Sequence, residues 1–226
     1  MCGRFTLFAP GDVLARMFGV DDAQSLAPRY NIAPSQPVAA ARVSPDSGGR
    51  ELTVLRWGLV PSWAKDPSAG DRMINARADT VSEKPSFRSA FRRRRCLVPA
   101  DGFYEWKRVA GRKQPFYVRF RDGRPFAIAS LWERWEGPDG SVLESCALVT
   151  TDANDIVSPI HDRMPVILAP KDYALWLDPA LQAKEALLPL LCPFPPEDMT
   201  AFPVHLQVNN PKVDNPACIE PLAPRQ

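Results

Sequence analysis

The chain has 226 residues, 45% of them hydrophobic and 24% charged, with a formal net charge of only +2. That balance fits one sizeable domain spanning 1–226 with a real core, and it excludes both a disordered tail and a globally basic nucleic-acid binder. No apolar run reaches membrane-spanning length and no secretory leader is recognisable, so no membrane partner is expected and a reducing cytoplasm is the expected compartment.

The 25 prolines are spread throughout and cut the chain into short elements. Residues 1–8 read as a short strand with Cys2 near its start. Asp12 to Phe18 has helical spacing (Val13, Leu14, Met17, Phe18) and stops at Gly19. A loop from Ala27 to Pro34 leads to a strand near Val38–Val43, a turn over Ser44–Arg50 and a strand over Leu52–Leu59. Pro61–Asp71 is a polar loop that bears an aromatic residue, and Asn75–Thr80 gives way to a helix ending in an arginine run. Strands with hairpin signals follow at Cys96–Val98, Phe103–Lys107, Pro115–Phe120, Pro125–Trp132 and Val142–Thr151, with turns at Asp122-Gly123 and Gly137–Gly140. Asn154–Ile160 predicts a short helix, Pro165–Leu168 a buried strand, and Lys171–Leu177 and Leu181–Leu191 helices. Val204–Val208 returns to extended structure, with His205 as a structural residue. Strands dominate and no repeated alternation of strand and helix is visible. The fold class is therefore α+β, a mostly antiparallel sheet curled toward a barrel, with short flanking helices.

Four segments carry candidate chemistry. In Met1-Cys2-Gly3-Arg4-Phe5, removal of Met1 would leave an α-amine and a thiol on one Cα. Such a pair captures an aldehyde: the amine forms a Schiff base and the thiol closes a thiazolidine ring. An unperturbed α-amine titrates at about 8 and a thiol at about 8.5, so both have a reactive fraction near neutrality. Asn75 follows two apolar residues, which puts its amide at the edge of the core, where it can accept from an amine and donate to a carbonyl. Glu105 lies among Phe103, Tyr104 and Trp106; burial there would raise its pKa into a range useful for proton transfer, whereas an exposed strand face would leave it an ordinary carboxylate. His161 begins a His-Asp-Arg cluster and suits a proton shuttle.

Five widely spaced cysteines (Cys2, Cys96, Cys146, Cys192, Cys218) give neither zinc-ligand spacing nor a disulfide framework, so no metal and no cofactor is expected. Arg88 and the run Arg92–Arg95 are either a solvated helix face or an extension of a basic surface.

Together these segments resemble the SRAP family, named for SOS-response-associated peptidases and including abasic-site processing proteins. The resemblance is carried by Met1–Phe5, Arg29-Tyr-Asn-Ile-Ala-Pro34, Arg56-Trp-Gly-Leu-Val-Pro-Ser-Trp63, Ile74–Thr80, Cys96–Trp106, Thr150-Thr151 and His161-Asp-Arg-Met-Pro165, in family order. It implies a covalent trap for abasic sites in single-stranded DNA, working as a monomer and associated with the nucleoid when bound. Cys2 would supply amine and thiol, Asn75 would orient the amine, Glu105 would act as general acid and base, and His161 would move protons at the sugar. Arg4, Arg77 and Arg163 would hold flanking phosphates, Pro34 and Trp63 would form an apolar wedge, and Thr150 would bond the DNA backbone. Two alternatives remain open on the sequence: a peptidase with Cys2 as N-terminal nucleophile, and a non-catalytic single-strand binding module.

Overall fold

The computed structural model describes residues 2–21, 26–109 and 111–223. The first part of the chain forms β1 (Phe5–Leu7), α1 (Gly11–Phe18), β2 (Arg29–Ile32), β3 (Pro37–Val43), β4 (Arg50–Trp57), β5 (Asn75–Arg77) and α2 (Arg88–Arg93). The middle is β-rich: β6 (Arg95–Ala100), β7 (Gly102–Val109), β8 (Arg112–Phe120), β9 (Phe126–Glu136) and β10 (Val142–Asp152). The remainder is made of shorter pieces, β11 (Arg163–Pro165), β12 (Ile167–Leu168), α3 (Tyr173–Leu177), α4 (Lys184–Leu187) and β13 (Met199–Pro203).

The fold is α+β, as the pattern of short strands and hairpin turns predicts. Five strands close into a ring in the order β4-β3-β6-β9-β10, because β10 pairs antiparallel with β9 on one side and parallel with β4 on the other. Closure removes the free edges of those strands. It also explains why β9 and β10 are buried along most of their length instead of alternating. β5 and β11 attach to β10, and β12 attaches to β9. A second, wholly antiparallel sheet runs β13-β8-β7-β1-β2. The two layers share one core: Phe5 meets Trp57 edge-on at 5.2 Å between ring centres, and Phe103 meets Phe126 at 6.4 Å.

α1 ends where the sequence places its stop. Gly19 adopts φ +65 and its N–H donates to Ala15 O, a left-handed cap that a side chain would strain.

Several expected elements differ. Asn154–Ile160 is a series of turns, not a helix, because the Asn154 side-chain oxygen accepts the Ile156 and Val157 amides and Pro159 interrupts any continuation. The last strand lies earlier than expected, at Met199–Pro203; Leu206–Asn209 is a 3-10 turn and His205 is exposed, not a strand residue. Carbonyls of that turn are taken by side chains of the N-terminal segment, which pulls this stretch out of the ladder.

The arginine run divides. Arg92 and Arg93 end α2 and are exposed, whereas Arg95 opens β6 at 3% exposure. The Arg95 guanidinium donates to the carbonyls of Phe91, Arg92, Trp176, Asp178 and Leu181, binding the end of α2 to the end of α3. It has no carboxylate partner among the described residues, and burial lowers its pKa to about 10. Removing that head group strands buried carbonyls. Arg95→Met is expected to cost about 3 kcal/mol or more of unfolding free energy, against less than about 0.5 kcal/mol for Arg92→Ala. Urea unfolding measures both, and equal midpoints for the two variants would refute this division.

Candidate active site at the seam of the two sheets

The N-terminal segment runs antiparallel beside β7. Phe5 pairs with Phe103 and Thr6 with Gly102, and the Tyr104 amide donates to Arg4 O at 2.9 Å. This register carries Cys2 toward the Glu105 end of β7; Met1 lies outside the described residues. In the other layer, β5 lies parallel to β10, with Asn75 opposite Leu148 and Arg77 opposite Thr150. On the far side of β10, β11 sets Pro165 opposite Thr150 and Arg163 opposite Asp152. Asn75, Thr150 and Arg163 therefore stand on three neighbouring strands, with His161 just before β11.

Asn75 crosses the seam. Its Nδ2 donates to Cys2 O at 2.8 Å, joining the N-terminal segment to the barrel layer. Its Oδ1 is buried and has no hydrogen-bond partner among the described residues, so acceptor capacity is left over beside Cys2. Cys2 is fully buried, and among the described residues its Sγ makes only a long contact of 3.7 Å to Arg4 O. Burial first, and the charge of Glu105 second, push its thiol far above the ordinary cysteine range.

Glu105 is 2% exposed, which settles the choice between a buried and an exposed strand face. Desolvation raises its pKa above the ordinary carboxylate value of 4.5, opposed in part by the nearby charge of a protonated His161. His161 Nδ1 accepts the Arg163 backbone amide at 3.0 Å, which leaves Nε2 to carry the proton in the neutral ring. The same Nδ1 lies 2.8 Å from Asp162 Oδ1, a contact favourable only when Nδ1 is protonated. The amide contact dominates in the neutral ring, since the Asp162 side chain is 85% exposed and solvent-screened. Cysteine, amide, acid and imidazole thus converge at one seam: a buried thiol beside groups able to accept and donate protons.

The family model described as SOS response associated peptidase (SRAP) matches residues 1–211. The chain belongs to the SRAP family. It is 44% identical to the abasic site processing protein YoqW of Bacillus subtilis, over 97% of this chain and 99% of that protein. It is 34% identical to the mouse abasic site processing protein HMCES, over 98% of this chain and 76% of that protein. An X-ray structure of a Bacteroides thetaiotaomicron protein superposes with a TM-score of 0.87 at 28% identity, covering 98% of this chain and all of that one.

Around this SRAP site the arginines are already engaged. Arg4 donates to Asn31 Oδ1 at 2.7 Å and to Val208 O at 2.6 Å. The exposed Arg77 forks onto Asp79 at 3.0 and 3.2 Å. Arg163 pairs with Asp152 at 2.8 Å and donates to Thr150 O at 2.7 Å, while its Nε and the Thr150 hydroxyl are buried without partners among the described residues. Trp63 is 64% exposed and Pro34 is half-buried. The Trp63 loop starts at Gly58, which adopts φ +131; a Cβ at this position would stand 2.7 Å from Gly70 O, so only hydrogen fits.

Three supporting residues receive no role from the sequence, although Asn31 and Trp57 lie inside the family motifs. Asn31, fully buried, donates to the carbonyls of Val208, Asn210 and Val213, while Asp214 accepts the Tyr30 and Asn31 amides and pairs with Arg29. Together they strap residues 208–214 onto β2 beside Arg4. Trp57 Nε1 donates to Ile74 O at 2.9 Å and so positions the residue before Asn75. The sequence signals for Asn31 are its place in the Arg29–Pro34 motif and its polarity between Tyr30 and Ile32; Asp214 has none.

A raised acid pKa in the folded state means that the native chain holds its proton more tightly than the unfolded one. Glu105 therefore costs no stability below the ordinary carboxylate pKa, and costs progressively more as pH rises toward its folded value. Glu105→Gln is expected to be stabilising near neutrality, with an advantage that shrinks as pH falls toward about 4.5 and is absent below it. Unfolding curves across that range check the sign; an advantage independent of pH would count against a buried, desolvated carboxylate.

Proposed function

We propose that this SRAP protein processes abasic sites in single-stranded DNA by capturing the ring-opened sugar aldehyde covalently on Cys2 after Met1 has been removed. The observation that supports this most directly is the Asn75 contact to Cys2 combined with the spare buried Asn75 Oδ1, because a freed α-amine there would find an acceptor within reach. The names of the relatives point to the same substrate class.

The neutral amine attacks C1′ of the aldehyde to give a carbinolamine. Glu105, kept protonated more readily than an ordinary carboxylic acid, donates its proton to the departing hydroxyl, and water leaves as the protonated imine (iminium) forms. The Glu105 carboxylate then accepts the thiol proton as Sγ adds to the imine carbon, closing the five-membered thiazolidine. Aldehyde and aminothiol are consumed and one water is released. Closure is intramolecular and gains an effective molarity of about 10⁵ M or more when well oriented. His161, through Nε2, serves proton transfer at the sugar oxygens. Arg77 and Arg163 would exchange carboxylates for phosphates, Arg4 and Thr150 would border the backbone, and Trp63 with Pro34 would part the neighbouring bases.

The peptidase alternative requires a thiolate to attack an amide. Burial disfavours that thiolate strongly, whereas the amine-first route does not need it.

Incubation of processed protein with an abasic single-stranded oligonucleotide, followed by denaturing electrophoresis, is expected to give a heat-stable conjugate. Cys2→Ala abolishes it, and so does a variant that retains Met1. No conjugate together with cleavage of a peptide would favour the peptidase; binding unchanged in Cys2→Ala with no conjugate would leave a binding module. Glu105→Ala is expected to slow conjugation more than it weakens binding, and Arg77→Ala to do the reverse. Parallel losses in both assays for both variants would remove that assignment of roles.

A further inference from the structure

The covalent chemistry makes no use of the arginine run. Arg88, Arg92 and Arg93 on α2 are exposed, as is Arg134 on β9, and among the described residues none of them has a carboxylate in ion-pair range. Several arginines elsewhere are compensated: Arg29 by Asp214, Arg42 by Glu51 and Glu144, Arg56 by Asp71, Arg77 by Asp79 and Arg163 by Asp152. Although the net charge is only +2, uncompensated positive charge is thus clustered around α2.

A groove of about 650 Å³ opens beside this charge. Val43, Trp132 and Leu177 contribute apolar wall, and Arg93, Arg94 and Arg134 line it with guanidinium groups. Arg94 is held in place by Glu133 at 2.6 Å and Ser89 at 3.1 Å, and its buried Nε has no partner among the described residues. Arg42 stacks over the Trp132 ring at 4.1 Å, which keeps that wall rigid. Ser62 also lines the groove, so the loop bearing the exposed Trp63 ends at its mouth. Trp135 Nε1 donates to Ala64 O at 2.7 Å and fastens that loop to β9.

We propose that this groove is a second nucleic-acid contact, which takes a nucleotide phosphate on Arg93 and Arg134 with its base against the apolar wall. Guanidinium forks match phosphate oxygens two at a time, and an apolar wall beside them suits a ring that must leave water. Glu133 repels an anion from the inner end, which places the phosphate at the outer pair of arginines. The groove has the volume of a small-ligand site. The nucleotide is supplied either by the strand flanking a bound lesion or by a free nucleotide. The groove shares with the proposed function a nucleic-acid partner but not its chemistry.

The double substitution Arg93→Ala/Arg134→Ala tests it, since both side chains are exposed and neither belongs to the reacting site. Fluorescence anisotropy with a long undamaged single-stranded oligonucleotide is expected to show affinity lower by about tenfold, with a salt slope flatter by roughly 0.7 for the one lost phosphate contact. Conjugation to an abasic oligonucleotide of a few nucleotides, which fills only the Cys2 site, should proceed at the parent rate. Calorimetry with adenosine monophosphate separates the sources: binding lost in the double variant identifies free nucleotide, and strand binding without it identifies the flanking strand. Unchanged long-strand affinity and salt slope, together with unchanged or absent nucleotide binding, would overturn the inference. A parent that forms no conjugate yet shows the affinity difference would overturn the covalent reading and leave the groove standing.

Discussion

The contact between Asn75 Nδ2 and Cys2 O is the constraint on which the site depends. Neither layer contains the whole constellation: Cys2 and Glu105 belong to the antiparallel sheet, whereas Asn75, Thr150 and His161 belong to strands and turns attached to the barrel. Cys2 precedes the first ladder residue of β1, so the ladder alone does not fix it. A hydrogen bond of this kind contributes only about 1 kcal/mol net. Its value lies in geometry, since it sets Cys2 against a defined partner. Trp57 supports the arrangement twice, packing on Phe5 and holding Ile74 O.

The polar groups at the seam are arranged at a thermodynamic cost. Buried atoms such as Asn75 Oδ1, Thr150 Oγ1 and Arg163 Nε forgo water without gaining a protein partner among the described residues, about 1–3 kcal/mol each. A desolvated Glu105 adds to that cost. The continuous apolar core of the two layers carries it. Stability is thus spent at the seam, where unused hydrogen-bonding capacity collects and Asn75 meets Cys2.

Much of this was legible in the sequence, for identifiable reasons. Alternating strands, the Asp122-Gly123 turn and the Gly19 stop report local backbone requirements, and local requirements survive in sequence. Cys2, Asn75, Glu105 and His161 are conspicuous because each departs from its surroundings in polarity or chemistry. The ring closure was less legible, because the β4–β10 pairing joins residues that no local pattern links. Arg95 was grouped with its exposed neighbours since five carbonyl acceptors, unlike a carboxylate, leave no charge signal. The strap formed by Asn31 and Asp214 was hidden for the same reason: its acceptors are backbone atoms.

The pairing of β1 with β7 also has a consequence in time. Asn31 and Ile32 engage Arg4 and Phe5 early, but the partners that complete the burial of this segment come later: Asn75 for Cys2, Phe103 and Tyr104 next, and Val208 for Arg4 last. A ribosome adds about 5–20 residues per second, so for a chain made from Met1 onward the amino terminus stays uncovered for several seconds before β7 emerges. During that interval a trimming enzyme can reach the chain around Cys2, a residue that is buried in the finished fold. Under the proposed function, competence would then depend on the order of two events, trimming of Met1 and burial of Cys2.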